Sequence, residues 1–209
     1  MNPTGPIRIL SVDDHPMLRE GIAAVLASEQ DMLLVAEASN GREAVEEFRT
    51  HRPDVTLMDV QMPEGNGIDA IAKIREEFPG ARIIVLTTYT GDAQAARAFK
   101  AGASGYLLKN MVRKELIDTI RTVHSGKKKI PAEIAVEMAQ HHSDDTLTDR
   151  EIQVLREVAA GNANKMVAQL LRISEETVKA HMRSILSKLG ANDRTHAVTI
   201  AVKRGIIEI

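Results

Sequence analysis

Over its first 125 residues the chain alternates five short, β-rich apolar runs with five longer stretches of helical periodicity, and few folds accept that order. The runs are 7–12, 32–37, 54–58, 82–87 and 105–108; the helical stretches are 16–28, 41–50, 67–78, 91–101 and 112–125. Several runs are almost continuously apolar, as strands are when both faces of a sheet are covered. Strictly alternating β and α elements predict a parallel sheet with right-handed crossovers. The expected fold is therefore α/β, a doubly wound five-stranded parallel sheet. Its core must be built from Ile, Leu, Val, Met and Ala, because the whole chain has three Phe, two Tyr and no Trp.

Four of the runs lead directly into polar residues. Asp13-Asp14 follows Ile7 to Val12, Asp59 closes 54–58, Thr87 closes 82–86 and Lys109 closes 105–108. In an open parallel sheet, functional groups collect beyond the carboxyl ends of the strands. Three carboxylates, a hydroxyl and an ammonium that are distant in sequence can therefore meet, and that set suits a divalent cation and an acyl phosphate. Singly, each has an ordinary reading: Asp13 as a helix cap, Asp59 as a turn former, Thr87 as a β-branched strand residue, Lys109 as a solvated cation. Their joint occurrence at four strand ends favours the site.

Beyond residue 125 the pattern changes. Ser125-Gly126-Lys127-Lys128-Lys129-Ile130-Pro131 breaks the last helix, and 126–145 reads as a linker, helical over 132–140. From 146 there is no strand pattern, and four short helices are expected. Thr148 with Glu151 forms a capping box, Gly161 ends the first helix, and the second runs over 164–171. Ser174 caps a third that stops at Gly190, and the fourth covers 193–204. Two short helices joined by a tight turn suit a helix-turn-helix. Its expected core is Ile152, Leu155, Val167, Leu170, Leu171, Val178, Ile185, Leu186 and Leu189. Charge divides along the same line: residues 146–209 carry a net +3 and residues 1–145 a net −5, which points to different partners. With no Cys, disulfides and thiolate metal sites are excluded. No apolar run approaches the ~20 residues that cross a bilayer, and Met1 to Pro6 does not look like an export signal, so a cytoplasmic location without membrane partners is expected.

These motifs resemble, over nearly the whole chain, a two-component response regulator of the NarL/FixJ family. The resemblance is carried by Val12-Asp13-Asp14-His15, Asp59-Val60-Gln61-Met62-Pro63 with Gly67, Leu86-Thr87-Thr88-Tyr89, Gly105-Tyr106-Leu107-Leu108-Lys109, Leu147-Thr148-Asp149-Arg150-Glu151, Thr177-Val178-Lys179-Ala180-His181 and Lys188-Leu189-Gly190. It implies a flavodoxin-like receiver over 1–125 and a LuxR-type helix-turn-helix domain over 146–209. It also implies that Asp59 accepts a phosphoryl group from a partner histidine kinase. Mg²⁺ is then expected on Asp13, Asp14, Asp59 and the backbone carbonyl of Gln61, with Thr87 and Lys109 on the phosphate. Tyr106 is expected to be the switch aromatic, and Tyr89 to shield the acyl phosphate.

In the tail, the resemblance places Lys179, Ala180 and Arg183 at base edges and Thr177, His181, Lys165 and Arg194 at phosphates. The expected partner is promoter DNA with two half-sites, bound by a homodimer that phosphorylation favours. Two positions depart from the family pattern. Met166 stands where Glu is common, and Asn110 where an acid is frequent. Two other classes compete. A Mg²⁺-dependent phosphohydrolase would want an acid two residues after its nucleophile, where this chain has Gln61. A protein-interaction module would use the helical tail on a protein partner.

Overall fold

The structure is a computed structural model that describes residues 5–62, 66–88, 92–132, 134–136 and 147–207. Five strands, β1 (Ile7–Val12), β2 (Met32–Ala38), β3 (Val55–Asp59), β4 (Ile83–Thr87) and β5 (Gly105–Leu108), form one sheet in the order β2-β1-β3-β4-β5. Every pairing is parallel. The intervening helices are α1 (Pro16–Ala27), α2 (Gly41–His51), α3 (Gly67–Glu77), α4 (Asp92–Ala101) and α5 (Val112–His124). All residues of β3 and β4 are buried, which explains their unbroken apolar runs. β2, at an edge, is only partly covered. On one face, Ile22 and Leu26 of α1 and Leu116 and Ile120 of α5 pack with Ile9, Leu57 and Leu86.

Strand order reverses between β1 and β3, and that switch point is where such sheets open a crevice. The register brings the polar strand ends level there. Val12 pairs with Met58, Asp59 with Leu86, and Thr87 with Leu108. Asp13 thus stands beside Asp59, and Thr87 and Lys109 each extend one residue further. The expected strand at 54–58 begins one residue later. Asp54 precedes it, its carboxylate accepting the Arg8 N–H at 2.8 Å, and Asp59 is the last strand residue.

Beyond α5 the chain turns at Gly126 (φ 87°) and Lys129 lies along the free edge of β5. The Tyr106 N–H donates to the Lys129 carbonyl at 2.9 Å and the Lys129 N–H to the Ser104 carbonyl at 3.2 Å. These residues, read as linker from sequence, add to the sheet edge because β5 would otherwise leave its donors unpaired. Residues 132 and 134–136 are helical, and the rest of the expected 132–140 helix lies outside the described residues.

The chain divides into two compact units, the first running to Thr88 and resuming over Ala95–Ala132. The second holds α6 (Asp149–Ala159), α7 (Asn164–Leu171), α8 (Glu175–Leu189) and α9 (Arg194–Lys203) around Leu155, Val167, Val178, Ile185 and Ala197. Thr148 and Glu151 form the expected capping box. Leu170 was expected in this core but is 54% exposed. The eight-residue α7 buries Val167 and Ala168 and part-buries Leu171. Leu170 stands about 100° around the helix from that stripe, on the outward side with Met166. Among the described residues no helix is long and apolar enough to cross a membrane.

Candidate functional site

Asp13 and Asp59 are fully buried at the ends of neighbouring strands. Each is held by local backbone donors: the His15 N–H reaches Asp13 Oδ1 at 2.9 Å, and the Gln61 N–H reaches Asp59 Oδ1 at 2.9 Å. Lys109, in a single 3₁₀ turn after β5, places Nζ 2.8 Å from both Asp13 Oδ2 and Asp59 Oδ2. Burial pushes the Asp59 carboxyl up to about 6, against the Lys109 ammonium and the Gln61 N–H, which favour the carboxylate. The Lys109 ammonium feels the reverse balance. Burial opposes its charge, but Asp13 and Asp59 hold its pKa above the usual lysine value. Thr87 is fully buried at the end of β4.

Asp14 lies at the rim, its side chain 24% exposed. Ligand atoms of Asp13, Asp14, His15 and Asp59 all fall within 4.8 Å of one another. Two of their oxygens are buried, Asp13 Oδ2 against the Lys109 ammonium at 2.8 Å and Asp14 Oδ1 against the His15 imidazole at 2.7 Å. Buried carboxylate oxygens clustered this closely are what a hard divalent cation takes up, so the three carboxylates of this set fit Mg²⁺.

Two further residues shape the site. Gly67, at the start of α3, has no room for a side chain: a Cβ there would lie 2.0 Å from the Asp59 carbonyl oxygen. Arg19 of α1 donates from Nη1 to the Asp13 carbonyl at 2.6 Å, tying the end of β1 to α1. Neither Arg19 nor the convergence of His15 with the acids was anticipated. The signal for His15 was its place directly after Asp13-Asp14. Gln61 accepts from the Thr88 hydroxyl at 3.2 Å through Oε1, so an amide occupies the position at which a phosphohydrolase would want an acid. Tyr106 on β5 is 1% exposed, with its ring centroid 6.3 Å from that of Phe99; it is a core residue, not a half-covered edge aromatic. Tyr89 lies outside the described residues.

In the second unit, α7 ends at Arg172 in the left-handed region (φ 53°), and Ser174 caps α8 by accepting the Thr177 N–H at 3.0 Å. That short turn joins the two helices as in a helix-turn-helix. Val178, Met182, Ile185 and Leu189 bury one face of α8, while Lys179, Ala180 and Arg183 are exposed on the other. Lys179 Nζ pairs with Glu176 at 2.7 Å, and Arg183 Nε donates to the Lys179 carbonyl at 3.4 Å. Lys165 is exposed on α7; His181 and Thr177 are half-buried, and the Thr177 hydroxyl lies 2.8 Å from that of Ser174. Arg194 is engaged internally, donating to the Asn162 carbonyl and to Asn164 Oδ1, so it braces the start of α7.

Glu151 does more than cap α6. Its carboxylate accepts from Ser184 at 2.6 Å and pairs with Lys188 at 2.8 Å, both on α8. Burial opposes its ionisation, but Lys188, Ser184 and Thr148 outweigh this and hold the carboxyl at about 2.

Residues 9–121 match the model of the response regulator receiver domain, and residues 145–201 that of the luxR family of bacterial regulatory proteins. The chain is 37% identical to the transcriptional regulatory protein LnrK of Bacillus subtilis (strain 168), over 96% of this chain and 98% of that one. Among solved structures it is similar to the response regulator ChrA of a heme-sensing two-component system, with 36% identity, 97% and 100% of the two chains covered and a TM-score of 0.57. It is also similar to RcsB of Salmonella enterica serovar Typhimurium bound to promoter P1flhDC in the presence of the phosphomimetic BeF₃⁻, with 25% identity, 95% and 99% covered and a TM-score of 0.72. A parallel receiver sheet with an acid cluster and lysine at its switch point, followed by a LuxR-type helix-turn-helix unit, makes this chain a member of the two-component response regulators and a transcription factor.

Proposed function

We propose that a histidine kinase phosphorylates Asp59 and that this favours a homodimer bound to two half-sites of promoter DNA in the cytoplasm. The observation that carries the reading is the Lys109 ammonium 2.8 Å from both the Asp13 and Asp59 carboxylates. Asp59 is the nucleophile: one carboxylate oxygen attacks phosphorus and the donor leaves, giving an acyl phosphate. Asp13, Asp14, Asp59 and the Gln61 carbonyl would hold Mg²⁺, which neutralises charge on the transferring group. Lys109 supplies a fixed positive charge to the phosphate oxygens, and the Thr87 hydroxyl a hydrogen bond. Tyr106 reports the change, since a ring packed this closely has few alternative positions and a shift of Thr87 alters the space beside it.

On the DNA side, α8 enters the major groove. Lys179 and Arg183 suit guanine acceptors and Ala180 a thymine methyl. Lys165, Thr177 and His181 contact phosphates, which adds affinity without sequence information, and Arg194 acts by holding the start of α7. RcsB bound to its promoter with a phosphomimetic supports this pairing of modification and DNA binding.

The test combines the parent and Asp59→Asn chains with acetyl phosphate and Mg²⁺. The parent should gain the mass of one phosphoryl group on the peptide containing Asp59, form dimers and bind its promoter more tightly; Asp59→Asn should do none of these. A phosphoryl group elsewhere, or an equal response from Asp59→Asn, overturns the reading.

A further inference from the structure

The cluster at the end of β1 contains an imidazole that the phosphoryl chemistry does not use. His15 Nδ1 lies 2.7 Å from Asp14 Oδ1 and 3.2 Å from Asp13 Oδ1. Asp14 Oδ1 is buried and lies within ion-pair distance of the imidazole nitrogen. Donor atoms of Asp13, Asp14, His15 and Asp59 lie within 4.8 Å of one another, and the separation of His15 Nδ1 from Asp14 Oδ1 is that of neighbouring ligands on one ion. Metal bonds of 2.0–2.1 Å at right angles place adjacent donors about 3 Å apart. Asp13 Oδ2 is a second buried oxygen in the same cluster, facing the Lys109 ammonium at 2.8 Å.

The backbone keeps His15 in place. Its N–H donates to Asp13 Oδ1 at 2.9 Å, and Pro16 starts α1 immediately after it. Asp13 Oδ1 retains that backbone donor when the imidazole nitrogen turns toward a cation. The ring itself is 66% exposed, so an ion can reach it from solvent.

We infer that His15 is a ligand of this cation site and makes it a mixed imidazole–carboxylate site. Such a site takes borderline transition ions, Co²⁺ and Zn²⁺, in preference to Mg²⁺. Imidazole is a good ligand for those ions, whereas Mg²⁺ prefers oxygen and keeps its waters. This rests on the cation reading above and names the ions the site selects.

The test uses the full chain, with Co²⁺ followed by its visible absorption and Mg²⁺ by competition, for the parent, His15→Ala and His15→Gln. Both variants should bind Co²⁺ about tenfold or more weakly, with a changed Co²⁺ spectrum, and bind Mg²⁺ within about twofold of the parent. An unchanged Co²⁺-over-Mg²⁺ preference overturns the inference. So does an equal weakening of both ions, because His15 would then only orient Asp14. A parent chain that binds no Mg²⁺ overturns the cation reading itself, and this inference with it.

Discussion

As the proposed phosphoryl acceptor Asp59 has to be a carboxylate, yet its position opposes ionisation. Burial pushes its pKa from an ordinary 3.8 to about 6. The folded chain therefore holds this proton more tightly than the unfolded chain does. The resulting penalty is absent below pH 3.8, grows up to about pH 6 and is complete above it. Replacing the acid by its neutral isostere removes the penalty. Asp59→Asn should stabilise the receiver unit at pH 7 in EDTA by on the order of 2 kcal/mol, read by calorimetry. Mg²⁺ should then raise the melting temperature of the parent more than that of the variant, since an ion that binds the folded state adds stability in proportion to its occupancy. Gly67 makes the opposite demand, that nothing intrude. A Cβ there meets the Asp59 carbonyl oxygen at 2.0 Å and the Val60 Cα at 2.8 Å, backbone atoms that cannot swing aside. Gly67→Ala should cost about 1–3 kcal/mol and lower phosphorylation by acetyl phosphate, because relief of the clash displaces Asp59 itself.

At the scale of elements, α6 and α8 are joined through one carboxylate. Glu151 caps α6 with Thr148 and also takes Ser184 and Lys188 of α8. Its pKa is lowered from 4.5 to about 2, so this contribution is fully present above pH 4.5 and is lost as pH falls through about 2. Glu151→Gln keeps the shape but loses the charge that pairs with Lys188 at 2.8 Å. It should destabilise the second unit by about 2 kcal/mol, seen as faster amide exchange in α6 and α8 at pH 7, with the difference from the parent vanishing in strong acid. The cap was legible in the sequence because Thr148 and Glu151 stand at capping-box spacing. The reach to α8 was not, since Ser184 and Lys188 lie 33 and 37 residues away. The same division runs through the chain. β3 and β4 were legible because strands covered on both faces are continuously apolar. Leu170 was misplaced because periodicity marks an apolar stripe without saying how much of a short helix its neighbours cover. His15 was read as part of the motif after β1 but given no role, because its distances to Asp13 and Asp14 are not encoded in spacing.

For the whole molecule, the division of charge between a net −5 front and a net +3 tail concentrates attraction to DNA in the second unit. Each ion pair between a cationic side chain and a DNA phosphate releases condensed counterions, so binding falls with salt along a slope set by the number of such contacts. A monomer presents one set; a dimer on two half-sites presents two. Phosphorylation that works through dimerisation should therefore about double the slope of log K against log salt. Phosphorylation that only exposes α8 should raise affinity at constant slope. Variants separate the roles on the same plot. Lys165→Ala, proposed to meet phosphate, should reduce the slope by about 1 per bound subunit and weaken all sequences alike. Lys179→Ala and Arg183→Ala, proposed to meet base edges, should each cost about 1–3 kcal/mol on the promoter and reduce its advantage over unrelated DNA. Their salt slopes should change less. A phosphorylated parent whose slope matches the unmodified chain, with Lys165→Ala removing only one unit from it, would place a single subunit on the DNA and locate control in access to α8.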